Sequence, residues 1–563
     1  MSRISDIAER YVEDLAALHP IAATSLGIPG HEDELGDFSP LGAERDIAFV
    51  RRTLADLDAA ATADESERDR IAREALAERL RLSLEEHEAG EHFRALNILA
   101  SPLQSLRRVF DLMSRDSEDD WRHVAHRMAA VGEALGGYRQ TLTEGIERGL
   151  TSTQRQAREC AVQAGVWSGE VEGQPSFFAG LVDAFDASGA PGGDTLRREI
   201  ETGATAASDA YAEMGRWLGD HYLARADEHD GVGVERYRLS ARTYLGAEID
   251  LDETYRWGWD EMHRVERELT ATSEVIAPGA GLEAAIELLE TDPERAIEGV
   301  DAFQRWMQDL QDRTVEELNG RHFDLPEPVR RIEAMIAPPG GALAMYYTGP
   351  SEDFSRPGRT WYPTGGKTRF PLWGEVSIAY HEGVPGHHLQ IAMTRYLRDE
   401  LTRVQRLMLT GTSGYSEGWG LYAERLMAEL GYLEVPDYQL GLLRSQALRS
   451  ARVVVDIGLH LGLPIALDDP FHPGETWTPE LAHEFMVTRS HWPADFLSSE
   501  VTRYLGLPGQ AISYKVGERM WLAAREQART RDGADFDLKR WHSRALGLGP
   551  MGLEQMQREL GAA

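Results

Sequence analysis

The chain has 563 residues, 42% of them hydrophobic and 27% charged, which is typical of a globular protein with a sizeable core. Its formal net charge of −35 argues against nucleic acid as a partner, because binding phosphates needs basic patches, and no stretch approaches the roughly 20 apolar residues of a membrane-spanning helix. A single cysteine, Cys160, excludes an intramolecular disulfide framework and any multi-cysteine metal site, so we expect it to be a small helix residue.

Helical periodicity dominates the chain from its first residues. In the N-terminal segment, apolar side chains recur at steps of three and four and predict one buried helix face, at Ile4, Ile7, Tyr11, Leu15 and Leu18. The same segment lacks the apolar stretch of a secretory signal, so we expect a cytoplasmic protein with no membrane partner. Further helices are predicted by the same periodicity at 63–88, 117–149, 200–225, 251–275 and 297–318.

Local signals mark the starts of helices and the breaks between them. Ser117, followed by three acidic residues, is a predicted N-cap. Thr478 is another, with Pro479 at the first helical position. Turn-forming stretches at 188–194 and 230–235 are either lobe boundaries or ordinary helix connections.

The stretch 340–372 departs from the helical pattern. It combines many Gly and Pro residues with aromatic and β-branched ones, which predicts one or two short strands and loops leading into the helix of His381. The predicted fold class is therefore mainly α, with a small β element beside that helix. We expect two regions, 1–330 and 331–563, that share one continuous core because no convincing linker separates them.

The candidate site begins at His381, in the string EVSIAYHEGVPGHHLQ. A His-Glu pair after an apolar stretch, with further His close behind, is typical of zinc hydrolases whose ligands share one helix face. The position one turn after His381 is Pro385, which cannot bind a metal. On a regular helix His388 returns to nearly the same face. A turn widened by Pro385 and Gly386 would instead bring back His387, so both histidines remain candidates.

A catalytic zinc site commonly has a third protein ligand, and a carboxylate lies downstream in SGYSEGWGLYAERLMAELG. Glu417 and Glu424 are seven residues apart, so both can project from one helix face among apolar neighbours. A carboxylate in such surroundings needs a partner, because burying an unpaired charge is costly. Two His from one helix and a Glu from the next form a gluzincin-type set of ligands.

Three segments in this order, HEGVPGHHLQ, EGWGLYAE and LPGQAISYKVG, resemble the bacterial domain-of-unknown-function 885 family. The likeness includes the N-terminal segment and so spans nearly the whole chain. Members of that family look like helical zinc metallopeptidases related to the thermolysin-like clan. The resemblance implies a large helical fold with a deep cleft, with 1–330 as its wall and roof and 331–563 as the catalytic region. It also implies short or unfolded peptides as substrates.

The resemblance also implies roles for individual residues. It assigns one zinc ion per chain to His381, His387 and Glu417. Glu382 would be the general base that takes a proton from the attacking water and passes it to the leaving amine. Glu424 would orient a ligand from behind.

Four further residues are candidates near this chemistry. The resemblance implies that His388 orients the ligands and that Tyr514, in a late segment, donates to the oxyanion. Lys515 and Arg356 would bind a substrate carboxylate. The alternatives are a tyrosine at the edge of the core, a surface lysine, and an ion pair between Arg356 and Asp353.

Two other patterns of polar residues are weaker candidates for a catalytic role. Polar residues at helical spacings on one helix predict a buried stripe, at Arg449, Arg452, Asp456 and His460. An internal ion-pair network explains that stripe better than direct catalysis. A second His-Glu pair, His483 and Glu484, lacks a following His at helical spacing and is interpreted as a decoy.

The leading hypothesis is a zinc metallopeptidase acting on peptides. One alternative keeps the metal but hydrolyses another amide, such as that of an N-acyl amino acid. The other is a helical binding protein with a structural metal site. Glu382 argues against the last, because a structural site needs no base beside its first ligand. The sequence leaves open the oligomeric state and whether peptides are trimmed from an end or cut internally.

Overall fold

The computed structural model describes residues 2–337 and 345–561, and helices make up 68% of it. The protein is therefore mainly α, as the periodicity predicts. None of the helices within these ranges is both long and apolar enough to cross a membrane.

The chain divides into two compact units. The first comprises the residues up to Thr62, Leu80–Val232 and Ser499–Leu507, and the second comprises Ala63–Arg79, Gly233–Ser498 and the residues from Pro508 onwards. The turn-forming stretch at 230–235 contains the boundary between Val232 and Gly233. The division at residue 330 and the continuous core remain predictions.

The first unit is built from helices. Its helices are α1 (Arg3–Leu18), α2 (Pro20–Leu26), α3 (Pro40–Ala60), α5 (Pro102–Leu112), α6 (Glu118–Arg148), α7 (Gln154–Ser168), α8 (Phe177–Ser188) and α9 (Gly193–Trp217). Two more have residues in both units: α4 (Glu67–Glu88) and α20 (Ala494–Gly506). The stretch 188–194 is an ordinary connection between α8 and α9.

Cys160 lies in the core of the first unit, fully buried in α7. It packs within the same apolar cluster as Trp121, Met128 and Tyr211. Burial raises the pKa of its thiol to about 12, so the group stays protonated at neutral pH. The expectation of a small helix residue is confirmed.

The second unit carries the candidate site. Its helices are α10 (Val234–Leu245), α11 (Leu251–Ile276), α12 (Leu282–Thr291), α13 (Val300–Leu318), α14 (Glu375–Glu382), α15 (His387–Tyr396), α16 (Arg403–Arg406), α17 (Ser413–Glu429), α18 (Pro436–Leu461), α19 (Pro479–Ser490), α21 (Ser513–Asp532), α22 (Leu538–Gly547) and α23 (Leu553–Gly561). Its strands are β1 (Ala296–Glu298), β2 (Ile332–Ile336), β3 (Tyr346–Thr348), β4 (Gly358–Tyr362) and β5 (Arg369–Pro371).

The helix-start signals are confirmed. Ser117 caps α6: its side chain accepts from the backbone N–H of Asp120, whose carboxylate accepts from the backbone of Ser117. Thr478 caps α19 by accepting from the backbone N–H of Leu481, with Pro479 at the first helical position.

Two predicted helices differ in detail from the observed ones. The 200–225 segment leaves α-geometry after Trp217, continuing as a π-helical turn (Leu218–Tyr222) and a 3₁₀ turn (Leu223–Arg225). The 297–318 segment begins as strand β1, and its helix starts only at Val300. Strand β1 forms because it pairs with β5, some 70 residues further along the chain, which no local pattern reveals.

The β element beside the motif helix is a three-stranded sheet in the order β2-β4-β3. Strand β4 runs parallel to β2 and antiparallel to β3. Strands β3, β4 and β5 fall in the predicted stretch 340–372, of which 340–344 lie outside the described residues. Strand β2 lies before that stretch and was not predicted.

Glycines allow α17 and α21 to approach closely. A Cβ on Gly418 would lie 2.6 Å from the Cα of Gly517, so a larger residue would force the helices apart. The neighbouring rings of Trp419 and Trp521 pack edge to face, with centroids 5.1 Å apart. This contact places the first turns of α21, which contain Tyr514, beside the turn of α17 that carries Glu417.

Candidate metal centre

The His-Glu motif does not lie on one regular helix. Helix α14 ends at Glu382, α15 begins at His387, and a tight turn that includes a cis bond between Val384 and Pro385 joins them. The turn is held by backbone hydrogen bonds, from Gly386 to the carbonyl of Tyr380 at 3.1 Å and from His388 to that of Gly383 at 3.1 Å. A Cβ on Gly386 would collide with the carbonyls of Tyr380 and His381, so only glycine fits there.

This turn brings His387 to His381. Their rings stand nearly perpendicular, with centroids 4.7 Å apart. Donor atoms of His381, Glu382 and His387 all lie within 4.8 Å of one another. The interrupted helix thus achieves the convergence that a regular four-residue spacing gives elsewhere.

Glu417 of α17 completes a group of three donors. Its Oε2 lies 3.3 Å from Nε2 of His381 and 3.7 Å from Nε2 of His387. Two atoms that each bond a tetrahedral zinc ion at about 2.0–2.1 Å lie about 3.4 Å apart. Two imidazole nitrogens and a carboxylate oxygen at these separations fit a divalent transition metal in both chemistry and spacing.

Glu424, two turns along α17, holds His381 from behind. Its Oε1 lies 2.8 Å from Nδ1 of His381, and Arg449 of α18 lies 3.1 Å from the same oxygen. The close approach of the His381 ring to α17 depends on Gly420, because a Cβ there would lie 2.8 Å from both ring nitrogens. His387 has no such support: its Nδ1 is buried without a hydrogen-bond partner among the described residues.

The electrostatics of the group favour positive charge at its centre. Burial lowers the pKa of His381, but hydrogen bonds to Glu417 and Glu424 outweigh burial and raise that pKa to about 9. Burial would raise the pKa of Glu417, but the hydrogen bond to His381 and the proximity of His387 hold it well below its ordinary value. Burial raises the pKa of Glu382.

His388 does not join the three donors. Its Nε2 lies 2.7 Å from the carbonyl oxygen of Val329 and its Nδ1 lies 3.0 Å from the hydroxyl of Tyr347. Since the carbonyl can only accept, Nε2 carries the proton and Nδ1 accepts from the tyrosine. The structure therefore brings His387 to Glu417, and it anchors His388 to the 3₁₀ turn (Glu327–Arg330) before β2 and to strand β3.

Tyr514 lies at the start of α21, partly buried. The guanidinium carbon of Arg452 lies 4.7 Å from its ring centroid, a cation–π contact. Ser513 bonds to Ser413 at the start of α17, with their hydroxyl oxygens 2.8 Å apart. Tyr514 is thus held beside the helix that carries Glu417.

Lys515 is buried and not at the surface, whereas Arg356 lies in the loop between β3 and β4. The buried ammonium of Lys515 donates to Glu261 and Gln446 at 2.7 Å and to Glu518 at 2.5 Å, so all three of its N–H groups are used within the core. Arg356 donates to the carbonyl of its neighbour Pro357, and the described residues show no ion pair between it and Asp353.

The predicted polar stripe on α18 is buried, and within it Nε2 of His460 lies 3.8 Å from Oδ1 of Asp456; its members also bind residues of other segments. Arg449 bonds Glu424, whereas Asp456 accepts from the hydroxyl of Tyr237 at 2.6 Å and from the backbone of Gly509 at 2.9 Å. Helical spacing therefore predicts the stripe, but it does not predict the contact between Arg449 and Glu424 of the candidate metal centre. Only the position of Glu424 opposite α18 reveals it.

The second His-Glu pair, His483 and Glu484, binds other residues, which agrees with its interpretation as a chance match to the motif. Nε2 of His483 bonds the carbonyl of Ala494 at 2.9 Å, and the exposed Glu484 lies 3.5 Å from His472. Both side chains thus bind partners other than the three donors.

Comparison with known proteins gives a family and a fold. The chain matches the model of a family described as "Bacterial protein of unknown function (DUF885)" over residues 20–560. Comparison with curated proteins finds no match. Among solved structures, it is similar to "the putative lipoprotein from Colwellia psychrerythraea", with a TM-score of 0.83, 21% identity, and coverage of 100% of this chain and 99% of that one.

A "putative lipoprotein of unknown function from Shewanella oneidensis" is also similar, with a TM-score of 0.74, 18% identity and 99% coverage of both chains. At these identities the likeness concerns the fold. The family match spans nearly the whole sequence and includes both helices of the motif. The chain belongs to the DUF885 family of bacterial proteins.

Proposed function

We propose that the protein is a zinc-dependent metallopeptidase that hydrolyses short or unfolded peptides. The observation that carries this proposal is the convergence of His381, His387 and Glu417, with Glu382 beside them. The helical zinc-peptidase fold and the deep cleft that the family resemblance implies belong to the proposal.

The three donors would hold one zinc ion per chain. When bound, zinc lowers the pKa of a water molecule and polarises a carbonyl group. The protein supplies the orientation: Glu424 accepts from Nδ1 of His381, which turns Nε2 toward Glu417 and would leave Nε2 to bind the metal. Arg449 in turn neutralises the buried Glu424.

Glu382 would act as the general base. It directly follows His381, and its donor atoms lie within 4.8 Å of those of both histidines, so it can take a proton from the attacking water and pass it to the leaving amine. Burial, which raises the pKa of Glu382, favours the protonated form it adopts between the two transfers.

Tyr514 would donate to the developing oxyanion. Its hydroxyl is a neutral donor on a helix packed against α17, and Arg452 above its ring stabilises negative charge nearby. Lys515 is a poorer choice for a substrate carboxylate than its sequence suggests, because its donors already have internal partners.

A combined metal and cleavage assay tests this proposal. The purified protein should contain about one zinc per chain, and a mixed peptide library should yield products whose ends reveal any terminal preference. Hydrolysis of N-acyl amino acids without cleavage of peptides would support the amidohydrolase instead. Zinc bound at stoichiometry with no hydrolysis of either class would favour a structural metal site.

A further inference from the structure

Arg444, on α18, is stacked on two tryptophan rings in the second unit. Its guanidinium carbon lies 4.0 Å from the ring centroid of Trp373 and 4.4 Å from that of Trp492. Its Nη2 also lies against Gly374, where a Cβ would approach to 3.0 Å. Aromatic faces at these distances attract the cation and restrict the plane of its flat fork of donors.

The donors of Arg444 have no acceptor in the described part of the chain. The guanidinium forms no hydrogen bond or ion pair there, and its Nε is buried without a partner. Burial lowers its pKa to about 10, so the group is still charged at neutral pH. Arg444 is half-buried, so its Nε is shielded from solvent and an anion bound at its outer donors would complete its hydrogen bonds.

The negative charges of two carboxylates raise the pKa of Arg444, but neither carboxylate forms an ion pair with it. Glu290 accepts a hydrogen bond from the indole of Trp373 at 3.0 Å. Glu375 is a half-buried residue at the start of α14, and burial raises the pKa of its carboxyl to about 7. Neither therefore supplies the bidentate partner that an arginine fork accepts.

Arg444 lies along the same helices as the candidate metal centre. Gly374 precedes α14, and Glu382 ends it, about 12 Å away at 1.5 Å per residue. Glu375 and Glu382, seven residues apart, share one face of that helix. On α18, Arg444 precedes Arg449, the partner of Glu424, by five residues, or about 7.5 Å.

We infer that Arg444 binds a carboxylate of the peptide substrate, on the order of 10 Å from the bond that is cleaved. An extended peptide advances about 3.3–3.6 Å per residue, so this carboxylate would belong to a residue about three positions away. It is either the C-terminal carboxylate of a short peptide or an acidic side chain. This inference rests on the proposed function and adds the substrate class. The substrates would be short peptides with a free C-terminal carboxylate, or peptides with an acidic side chain.

Binding measurements on the full-length, zinc-loaded Glu382→Gln protein test this inference without interference from turnover. Three probes are titrated by calorimetry: tetraalanine, tetraalanine amide, and the same amide with one alanine replaced by glutamate. At least one of the two probes with a carboxylate should bind about 10–100-fold more tightly than the plain amide, the usual worth of hydrogen bonds to a charged group. The probe that does so identifies the source of the carboxylate.

Variants of Arg444 separate its contribution from that of zinc, which also attracts carboxylates. Arg444→Met keeps the apolar stem and should abolish the preference, and Arg444→Lys, which lacks the planar fork, should restore only part of it. Arg519 is a matched control, because it also stacks on a tryptophan, Trp257, but pairs with Glu253. Arg519→Met should leave the preference intact.

Equal binding of all three probes overturns the inference, as does a preference that survives in Arg444→Met. These outcomes differ from failure of the proposed function. If the wild-type protein cleaved peptides but bound the peptide acid and the peptide amides equally, the peptidase function would stand and the Arg444 site would be rejected. If the protein cleaved no peptide but still preferred carboxylates through Arg444, the carboxylate site would stand and the peptidase function would be rejected.

Discussion

Glu424 lies 2.8 Å from Nδ1 of His381, with Arg449 on its other side, so a buried carboxylate joins a candidate metal ligand to an arginine on another helix. This contact orients the imidazole so that Nε2 points to Glu417. Carboxylates that support a ligating histidine in this way affect metal affinity without touching the metal.

Glu424→Gln should therefore weaken zinc binding about 10–100-fold, because the amide supports the imidazole less well and no longer compensates Arg449. The measurement is a zinc titration against a competing chelator. Glu429→Gln, one turn or so further along α17 and paired with Arg525, is the control and should bind zinc like the wild type. Equal affinities for both variants would show that Glu424 does not tune the site.

His387→Ala should reduce zinc binding, whereas His388→Ala should reduce stability. The first removes a donor 3.7 Å from Glu417 and should reduce the zinc content to a small fraction of one per chain. The second should keep zinc and lose stability, about 1–3 kcal/mol, since the carbonyl of Val329 and the hydroxyl of Tyr347 lose their partner. Zinc content and thermal midpoint are measured on the same samples. Greater zinc loss in His388→Ala would contradict this ligand set.

Glu382→Gln should keep zinc and still bind substrate, because the three donors are unchanged. Turnover should fall by about two to four orders of magnitude, the usual worth of a positioned acid–base group. The assay is hydrolysis of a peptide shown to be a substrate, with zinc quantified alongside. A variant that held its zinc and cleaved at the wild-type rate would remove Glu382 from the mechanism.

Tyr514→Phe should lower turnover by roughly 10²–10³ with zinc retained, because the proposed donor to the developing oxyanion is lost while the zinc ligands are unchanged. The ring stays, so the contact with Arg452 is preserved. Steady-state kinetics should show the loss mainly in kcat. A loss confined to KM would make Tyr514 a substrate-binding group and not an oxyanion donor.

Acid should destabilise the protein partly through His542. Burial lowers the pKa of this histidine to about 3 in the folded protein, against about 6.5 in an unfolded chain. Between these pH values the unfolded chain binds a proton that the folded protein does not, so the free energy of unfolding falls as pH decreases, by up to about 1.4 kcal/mol per unit.

His542→Gln should thus show a shallower decrease of thermal midpoint between pH 6.5 and 4.5. The exposed His229 provides the control, and His229→Gln should follow the wild-type slope. If His542→Gln and the wild type lose stability equally with acid, His542 is not the group responsible.

The sequence by itself determined the helical class, most helix positions and the candidates for the metal centre, with His387 and His388 both left open. Periodicity and capping are local, so α6 with its Ser117 cap and α11 could be predicted almost to the residue. The His381–Glu382 pair and the spacing of Glu417 and Glu424 are local too, because one helix face decides where each side chain points.

Tertiary structure decided what depends on contacts between distant segments. The choice between His387 and His388 follows from a turn closed by backbone contacts and from the partners of His388, Val329 and Tyr347. The buried position of Lys515 depends on Glu261, more than 250 residues earlier. A periodic pattern shows which face of a helix is buried but not which helix covers it, so pairings of this kind appear only when the chain is folded.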